Sequence, residues 1–162
     1  EMTSSLVGSE MCIRDRPINE QYLFKGASTL TDGLKGNSSY RSGRWIAFNG
    51  NDMDMTIDLQ QPTEISSVAI SVNIAKGDWV FDARNLSVEV SDDGKTFKKI
   101  ASEEYPAMKE TDKDGVVDHQ LTFAPVTTQY VRVIASPEKT LPEWHGGKGK
   151  NAFLFVDEIK ID

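Results

Sequence analysis

The sequence predicts an all-β fold of short antiparallel strands, arranged as a sandwich or a barrel. Several separate segments alternate apolar and polar residues, and no long stretch repeats apolar residues at the three- and four-residue spacing of a helix. Turn-forming residues divide the chain into about seven or eight such segments. With 162 residues, the chain can bury one sizeable core but not two. We therefore expect a single domain.

Alternation is clearest in residues 53–59, 68–74 and 86–90, where apolar side chains occupy every second position. Such a strand packs one face against a core and exposes the other. Residues 91–95, Ser-Asp-Asp-Gly-Lys, follow the third segment and contain a glycine where a tight turn requires positive φ. This pattern predicts a hairpin whose return strand contains Phe97.

The same alternation predicts three further strands, at residues 116–123, 129–135 and 153–161. Residues 103–115 are rich in Glu, Lys and Asp, which predicts a solvated loop. Trp45 and Phe48 lie outside the alternating segments. Because large aromatic side chains are often buried, we expect these two to close one end of the core.

Residues 1–16 show neither helical nor strand periodicity, and they lack the basic start and apolar stretch of a signal peptide. Residues 8–16 resemble a translated sequencing-adapter artefact of the kind found at the ends of metagenomic fragments. We expect this head to be non-native and disordered. The single domain would then occupy residues 17–162, and the natural chain would be an interior fragment of a longer protein.

Composition argues against several kinds of partner. The formal net charge is −7, and no basic stripe is present that could replace the counterions of a nucleic-acid backbone. No run of about 18 apolar residues occurs, so we expect no membrane-spanning segment. Cys12 is the only cysteine, which excludes a disulfide within the chain. We expect no nucleic-acid partner.

The chain lacks the common sequence motifs of catalysis. It contains no Gly-x-Ser-x-Gly elbow, no His-Glu-x-x-His sequence and no cysteine pair, and residues 146–150 lack the spacing and hydroxyl of a phosphate-binding loop. His119 lies in the middle of a predicted strand, where we expect a surface residue. Neighbouring carboxylates fall in predicted turns and are typical of a solvated acidic surface. We therefore predict that the chain is not itself an enzyme.

Residues 144–150, Trp-His-Gly-Gly-Lys-Gly-Lys, indicate a binding loop. An aromatic side chain beside polar groups on a glycine-rich loop suits a sugar, whose apolar face stacks and whose hydroxyl groups need fixed partners. Trp79 lies in a similar loop, and Arg84 supplies a rigid fork of donors near it. The candidate ligand-binding residues are Trp79, Trp144, Asp78, Arg84, His145 and Lys148.

Several short motifs occur in a characteristic order, at residues 30–33, 45–52, 56–59, 90–94, 130–133 and 157–159. In this order they resemble the coagulation factor 5/8 type C, or discoidin-like, family, which includes the family 32 carbohydrate-binding modules. The Trp144-His145 loop followed by residues 153–158 is similar, more narrowly, to the C-terminal module of bacterial glycoside hydrolase family 20 β-N-acetylhexosaminidases, especially those of Bacteroides-like organisms.

The resemblance implies a galactose-binding-like jelly-roll β-sandwich. It also implies a noncatalytic, monomeric accessory module that targets a larger glycoside hydrolase to its glycans. The implied glycans are of the galactose or N-acetylhexosamine type, and the implied location is the periplasm or the outside of the cell. Two other functions stay open. The module could pack on the catalytic domain of its parent enzyme without binding sugar, or it could be an independent hydrolase, for which the sequence offers no acid/base pair.

The same resemblance implies one structural calcium ion between an early Asp-Gly loop and a glutamate on the last strand. Asp32 and Glu158 match those two positions, and their oxygen ligands suit a hard cation. The acid and threonine that usually follow the Asp-Gly pair are replaced here by residues 34–38, where a carbonyl, Asn37 or Ser38 could complete the shell; Ser38 is the third candidate ligand. The alternative is that Asp32 caps a turn without a metal.

Overall fold

The computed structural model describes residues 10–13 and 45–162 of the chain. Within them, the named strands all pair antiparallel, and the only helix is a 3-10 turn at Lys76–Asp78. No helix in these ranges is long and apolar enough to cross a membrane. The strands are β1 (Glu10–Ile13), β2 (Ile46–Asn49), β3 (Met53–Ile74), β4 (Asn85–Ser91), β5 (Lys98–Glu104), β6 (Gly115–Ser136) and β7 (Phe153–Ile161).

Two long strands, β3 and β6, organise the fold. The strand order is β2-β7-β3-β6-β4-β5, with β1 beside β3. The register between β3 and β6 shifts between Asp58 and Thr63, where Gln60 has a φ of 73°. This bulge bends both strands, so the first half of β3 pairs with β1 and the second half with β7. The two halves form facing layers, and the predicted jelly-roll β-sandwich is confirmed.

The bulge also explains a difference from the sequence prediction. Residues 53–59 and 68–74 were expected to be separate strands, but the structure joins them in β3. Gln60, Gln61 and Glu64 interrupt the apolar alternation and are exposed. Gln60 and Gln61 lie within the register shift, and the pairing of β3 with β6 resumes at Thr63 and Glu64, so the bend joins the two segments without packing side chains on the core. In the same way β6 unites the two strands predicted at residues 116–123 and 129–135.

The core consists of one large cluster between the layers and two small clusters at one end. The large cluster takes side chains from both halves of β3 and from β4, β6 and β7. One small cluster contains Trp45, Val80 and Phe155. The other contains Phe81 and Leu141, with further aromatic side chains packed on it. Trp45 and Phe48 are buried, as predicted.

The hairpin predicted after residue 90 is confirmed as the β4–β5 pair. Gly94 has a φ of 73° in the turn. The Asp93 carboxylate accepts hydrogen bonds from the backbone N–H groups of Lys95 and Thr96 and from the Ser91 hydroxyl. These bonds stabilise the charged carboxylate and lower the pKa of Asp93 to about 2. The turn is therefore fixed by local interactions that the sequence displays.

The head differs in part from its prediction. It was expected to be disordered, but Glu10–Ile13 form β1, which pairs with residues 55–58 of β3. An edge strand offers unpaired N–H and C=O groups that can bond to another backbone whatever its side-chain pattern. Apolar periodicity therefore does not predict such a pairing. The non-native origin of the head stays a prediction.

Candidate functional site

Three loops meet at one end of the sandwich. They connect β3 to β4, β5 to β6 and β6 to β7. The Lys76 ammonium group donates to the Asp114 carboxylate at 2.9 Å and to the carbonyl of Asp112, joining the first two loops. The Lys76 carbonyl lies 2.6 Å from Nε2 of His145, which joins the first loop to the third. The loops thus form one continuous surface.

The charge on Asp114 is stabilised by this junction. Burial alone would raise the pKa of Asp114, but hydrogen bonds from the side chain and the backbone N–H of Lys76 outweigh burial and bring the pKa below its ordinary value. The lowered pKa means that the interaction of Lys76 with Asp114 stabilises the fold at neutral pH. This stabilisation is lost only in acid, as the Asp114 carboxylate is protonated.

Four rings from two of these loops form what we call the aromatic cluster: Trp79, Phe81, Trp144 and His145. The rings of Phe81 and Trp144 are nearly parallel, with centroids 5.8 Å apart and an interplanar angle of 16°. His145 makes edge contacts with the other three rings at centroid distances of 5.4 to 6.3 Å. Trp79 and Trp144 are half-buried, whereas Phe81 is 1% exposed. Phe81 therefore supports one face of the Trp144 indole.

Trp79 has an unusual backbone conformation, with a φ of 68°. A bulky residue seldom adopts this left-handed region. The conformation is held by two hydrogen bonds, from Trp79 N–H to the Lys76 carbonyl at 3.1 Å and from Phe153 N–H to the Trp79 carbonyl at 2.8 Å. Backbone strain of this kind concentrates at functional sites, which favours this end of the molecule as a site.

Gly147 lies directly against the Trp79 indole. A Cβ atom at this position would be 2.7 Å from Cε2 and 2.8 Å from Cζ2 of Trp79. We expect Gly147→Ala to displace the indole or the loop and to lower the free energy of unfolding by about 1–3 kcal/mol, measured by urea denaturation. Gly146→Ala is the matched control, since a Cβ there meets nothing within 4 Å. Equal stability of the two variants would contradict the observed packing.

His145 uses both ring nitrogens within the protein. Nδ1 accepts a hydrogen bond from Gly147 N–H at 2.9 Å, so the neutral ring carries its proton on Nε2 and donates it to the Lys76 carbonyl. His145 was predicted to bind sugar hydroxyl groups. The structure places it inside the aromatic cluster, where its hydrogen bonds shape the loop.

Arg84 is also engaged within the protein. Its Nη1 donates to both carboxylate oxygens of Glu138, at 3.0 and 3.2 Å, and its Nε donates to the Tyr105 carbonyl. The expected fork of donors is thus partly occupied, and the side chain is 38% exposed; ligand binding by Arg84 stays a prediction. Asp78 and Lys148 are exposed beside the aromatic cluster, Lys148 at 3.4 Å from Glu143. These two are the predicted polar residues best placed to meet a ligand.

His119 was predicted to be a surface residue, and this was wrong. Its side chain is 12% exposed, and Nε2 lies 2.6 Å from the Asp82 carboxylate. The ring stacks on Tyr105 with centroids 4.0 Å apart. Burial, assisted by the negative charges of Glu103 and Asp82, raises the pKa of Tyr105 to about 12. The loop before β6 covers this part of the strand, which periodicity alone could not reveal.

Comparison with known proteins gives the chain a family. The F5/8 type C domain family matches residues 14–153, which is most of the sequence. The chain belongs to the F5/8 type C domain family. The resemblance seen in the order of the sequence motifs is therefore confirmed. No curated protein sequence matches this F5/8 type C domain significantly.

Solved structures similar to this F5/8 type C domain include carbohydrate-binding modules. CpGH89CBM32-5 from Clostridium perfringens, in complex with GalNAc-β-1,3-galactose, has a TM-score of 0.62 and 15% identity, with 99% of each chain covered. The CBM32 of AlyQ, in complex with 4,5-unsaturated mannuronic acid, has a TM-score of 0.57 and 14% identity, covering 100% of this chain and 98% of that one.

A fucolectin from striped bass (Morone saxatilis) serum is also similar, with a TM-score of 0.61 and 16% identity. The alignment covers 99% of this F5/8 type C domain and 48% of the fucolectin. At these identities the likeness establishes the shared fold.

Two contributors to the site of this F5/8 type C domain were missed from sequence. Phe81 supports Trp144, and Met108 packs on the same cluster while its sulfur accepts a hydrogen bond from Asp82 N–H at 3.3 Å. The signal for Phe81 was its place two residues after Trp79, which puts both aromatics on one loop. Met108 ends the short apolar run Tyr105-Pro106-Ala107-Met108 that precedes the charged part of this loop, and this run was the only hint.

The predicted calcium ligands of this F5/8 type C domain are only partly described. Asp32 and Ser38 lie outside the described residues. Glu158 lies on β7, is 5% exposed and lines a cleft of about 170 Å³ together with Ser71 and Asp118. A buried carboxylate requires compensation, and calcium would supply positive charge. Among the residues that the structure describes, no group of three or more His, Cys, Asp or Glu could hold a metal ion, and calcium binding stays a prediction.

Proposed function

We propose that this chain is a noncatalytic carbohydrate-binding accessory module of a larger glycoside hydrolase, and that the aromatic cluster is its sugar-binding site. The observation that carries the proposal is the supported indole of Trp144. Phe81 holds one face of the ring, and the half-buried side chain keeps part of its surface exposed. A rigid aromatic plane of this kind suits the apolar face of a sugar ring, because little side-chain freedom is lost on binding.

The exposed polar residues complete the proposed site. Asp78 follows Lys76 in the 3-10 turn and precedes Trp79, while Lys148 follows the glycine that packs on Trp79. A carboxylate and an ammonium group can fix the orientation of sugar hydroxyl groups around a stacking plane. The carbohydrate-bound CBM32 structures of the same fold support this class of ligand. Glycans of the galactose or N-acetylhexosamine type are the proposed ligands.

The proposed parent is a β-N-acetylhexosaminidase-like glycoside hydrolase that acts in the periplasm or outside the cell. A monomeric module of modest affinity would hold the enzyme near its substrate by raising the effective concentration. The similarity of the chain to CBM32 structures supports this role.

A second function is favoured by a different observation. Both ring nitrogens of His145 are engaged within the protein, and so are Nε and Nη1 of Arg84, which leaves fewer donors for a ligand than the sequence suggests. A structural module that packs on the catalytic domain would need no such donors. In that case the partly exposed indoles would contact the parent enzyme instead of a sugar.

A glycan array probed with the isolated chain, followed by calorimetric titration with the best-bound sugar, tests the proposed function. We expect binding with a Kd between about 10 μM and about 1 mM, corresponding to roughly 4–7 kcal/mol. Absence of binding to every galactose- and N-acetylhexosamine-containing glycan at millimolar concentration would favour the structural module.

We also propose one structural calcium ion held by Asp32, Ser38 and Glu158. Millimolar calcium is expected to raise the melting temperature by about 3 °C or more, because an ion that binds only the folded state stabilises it. The Glu158→Gln variant should lose this rise, and magnesium at the same concentration serves as the ion control. A melting temperature that does not respond to calcium would contradict the site.

A further inference from the structure

We propose that His145 is a positioning residue that holds Trp144 in its binding geometry only while the imidazole is neutral, so that sugar binding weakens in mild acid. This inference rests on the proposed sugar-binding function of the aromatic cluster. It differs from the expected role of His145 as a direct ligand contact. Two hydrogen bonds hold the His145 ring, which lies centrally among the other three aromatic side chains.

The hydrogen bonds of His145 require one acceptor and one donor on the ring. Gly147 N–H donates to Nδ1 at 2.9 Å, and Nε2 faces the Lys76 carbonyl at 2.6 Å. Only the neutral tautomer with its proton on Nε2 satisfies both contacts. A protonated ring has two N–H donors and no acceptor, so Gly147 N–H would face another N–H. Loss of this bond removes the contact that folds the loop back on the ring.

The loop that His145 shapes is short and closed on itself. His145 N–H donates to the Pro142 carbonyl, Lys148 N–H donates to the His145 carbonyl, and Leu141 and Lys150 bond at the base of the loop. Trp144 immediately precedes His145 and makes edge contact with it at 5.8 Å. A rotation of the imidazole away from Gly147 therefore displaces Trp144 from Phe81. The proposed switch requires a second arrangement of the loop, in which the bond from Gly147 N–H to Nδ1 is broken.

Charged groups from each loop packed around His145 have partners within the protein. The ammonium group of Lys76 is bonded to Asp112 and Asp114, Glu143 lies near Lys148, and Asp82 contacts His119. The 3-10 turn also contains the Asp78 carboxylate, and the β6–β7 loop also contains the Lys139 and Lys150 ammonium groups. Histidine is the side chain whose ordinary titration falls between about pH 5 and 8. The pH dependence of sugar binding is therefore assigned to the imidazole of His145.

The chain contains two histidines, and the structure distinguishes their responses. His119 faces the Asp82 carboxylate through Nε2 at 2.6 Å. A proton gained by His119 creates an ion pair there, whereas a proton gained by His145 opposes the Gly147 N–H. His119 is accordingly the internal control for a titration.

The test measures sugar affinity at pH values from about 8 to about 5, with N-acetylgalactosamine and galactose as probes. For the wild type we expect the affinity to fall about threefold or more over this range. In the His145→Asn variant, whose Oδ1 can accept from Gly147 N–H and does not titrate, the affinity should be lower than that of wild type at pH 8 and change less than about 1.5-fold. The His119→Asn variant should keep the wild-type profile.

A ligand-free measurement separates this inference from the proposed function. The amide resonance of Gly147 in a nitrogen-15 NMR spectrum should move and broaden together with the titration of the His145 ring. If no sugar binds but Gly147 follows His145, the positioning role stands and the sugar-binding function fails. The inference would be overturned if the Gly147 resonance did not change as His145 titrates. It would also be overturned if the sugar affinity of His145→Asn had the same pH profile as that of the wild type.

Discussion

Trp144→Ala is expected to weaken sugar binding by about 10- to 100-fold, which corresponds to roughly 1.4–2.8 kcal/mol. The substitution removes the indole that Phe81 supports from below at 5.8 Å. Because the ring contributes a rigid apolar plane, its loss removes contact area that no neighbouring side chain can replace. Calorimetric titration with the best-bound sugar of the array measures the effect.

Phe97→Ala is the matched control for Trp144→Ala. Phe97 is also a half-buried aromatic residue, but it lies in the β4–β5 turn, at the end of β4 away from the aromatic cluster. It should leave sugar affinity unchanged within about twofold, equivalent to less than about 0.5 kcal/mol. Trp79→Ala provides a second test of the site. Full affinity in both tryptophan variants, with the fold retained by circular dichroism, would rule out the aromatic cluster as the sugar-binding site.

Phe155→Ala should lower the free energy of unfolding by about 3–5 kcal/mol. Phe155 is 1% exposed and packs with Trp45 and Val80 where β7 joins β2 and β3. Removing the ring leaves a cavity between strands that cannot approach one another, since their backbones are hydrogen-bonded. Because Val80 follows Trp79, the aromatic cluster should also lose order. Urea denaturation with an unchanged m-value measures the loss of stability.

Phe153→Ala serves as the control on the same strand. Phe153 lies two residues before Phe155, its ring centroid is 6.0 Å away, and it is only partly buried. We expect this variant to lose about 1–2 kcal/mol, because less apolar surface returns to water. If Phe153→Ala were as destabilising as Phe155→Ala, the burial of the two rings described here would be wrong.

The strands whose faces differ sharply in polarity could be predicted from the sequence. The bounds of β7 match the prediction at residues 153–161, and the β4–β5 hairpin was evident from its turn residues. The bulge in β3 was not predictable, because residues 60–64 are mostly exposed at the bend. Such a segment has the same pattern as a loop between two strands. Apolar periodicity reflects the packing of side chains. It does not indicate whether two apolar segments belong to one long strand or to two separate strands.

The site could be predicted only in part, for a related reason. Trp79 and Trp144 were identified from their loops, and the structure brings them into one cluster. Arg84 and His145 were expected to bind ligand, yet their partners are Glu138 and the Lys76 carbonyl. Both partners are distant in sequence, so a donor that appears free in the sequence can be occupied in the fold. The identity of a loop residue predicts its chemistry, whereas its availability depends on tertiary contacts.

The long pairing of β3 with β6 has a consequence for how the chain folds. Met53 pairs with Ala135 and Ile74 pairs with Gly115, so this central ladder joins segments far apart in the sequence. Closing such loops costs entropy before any contact compensates for it, and domains of this topology fold in milliseconds to seconds. Since each of the two strands runs through both layers, neither layer can form its hydrogen bonds alone. We therefore expect amide protons of both layers to gain protection in a single kinetic phase.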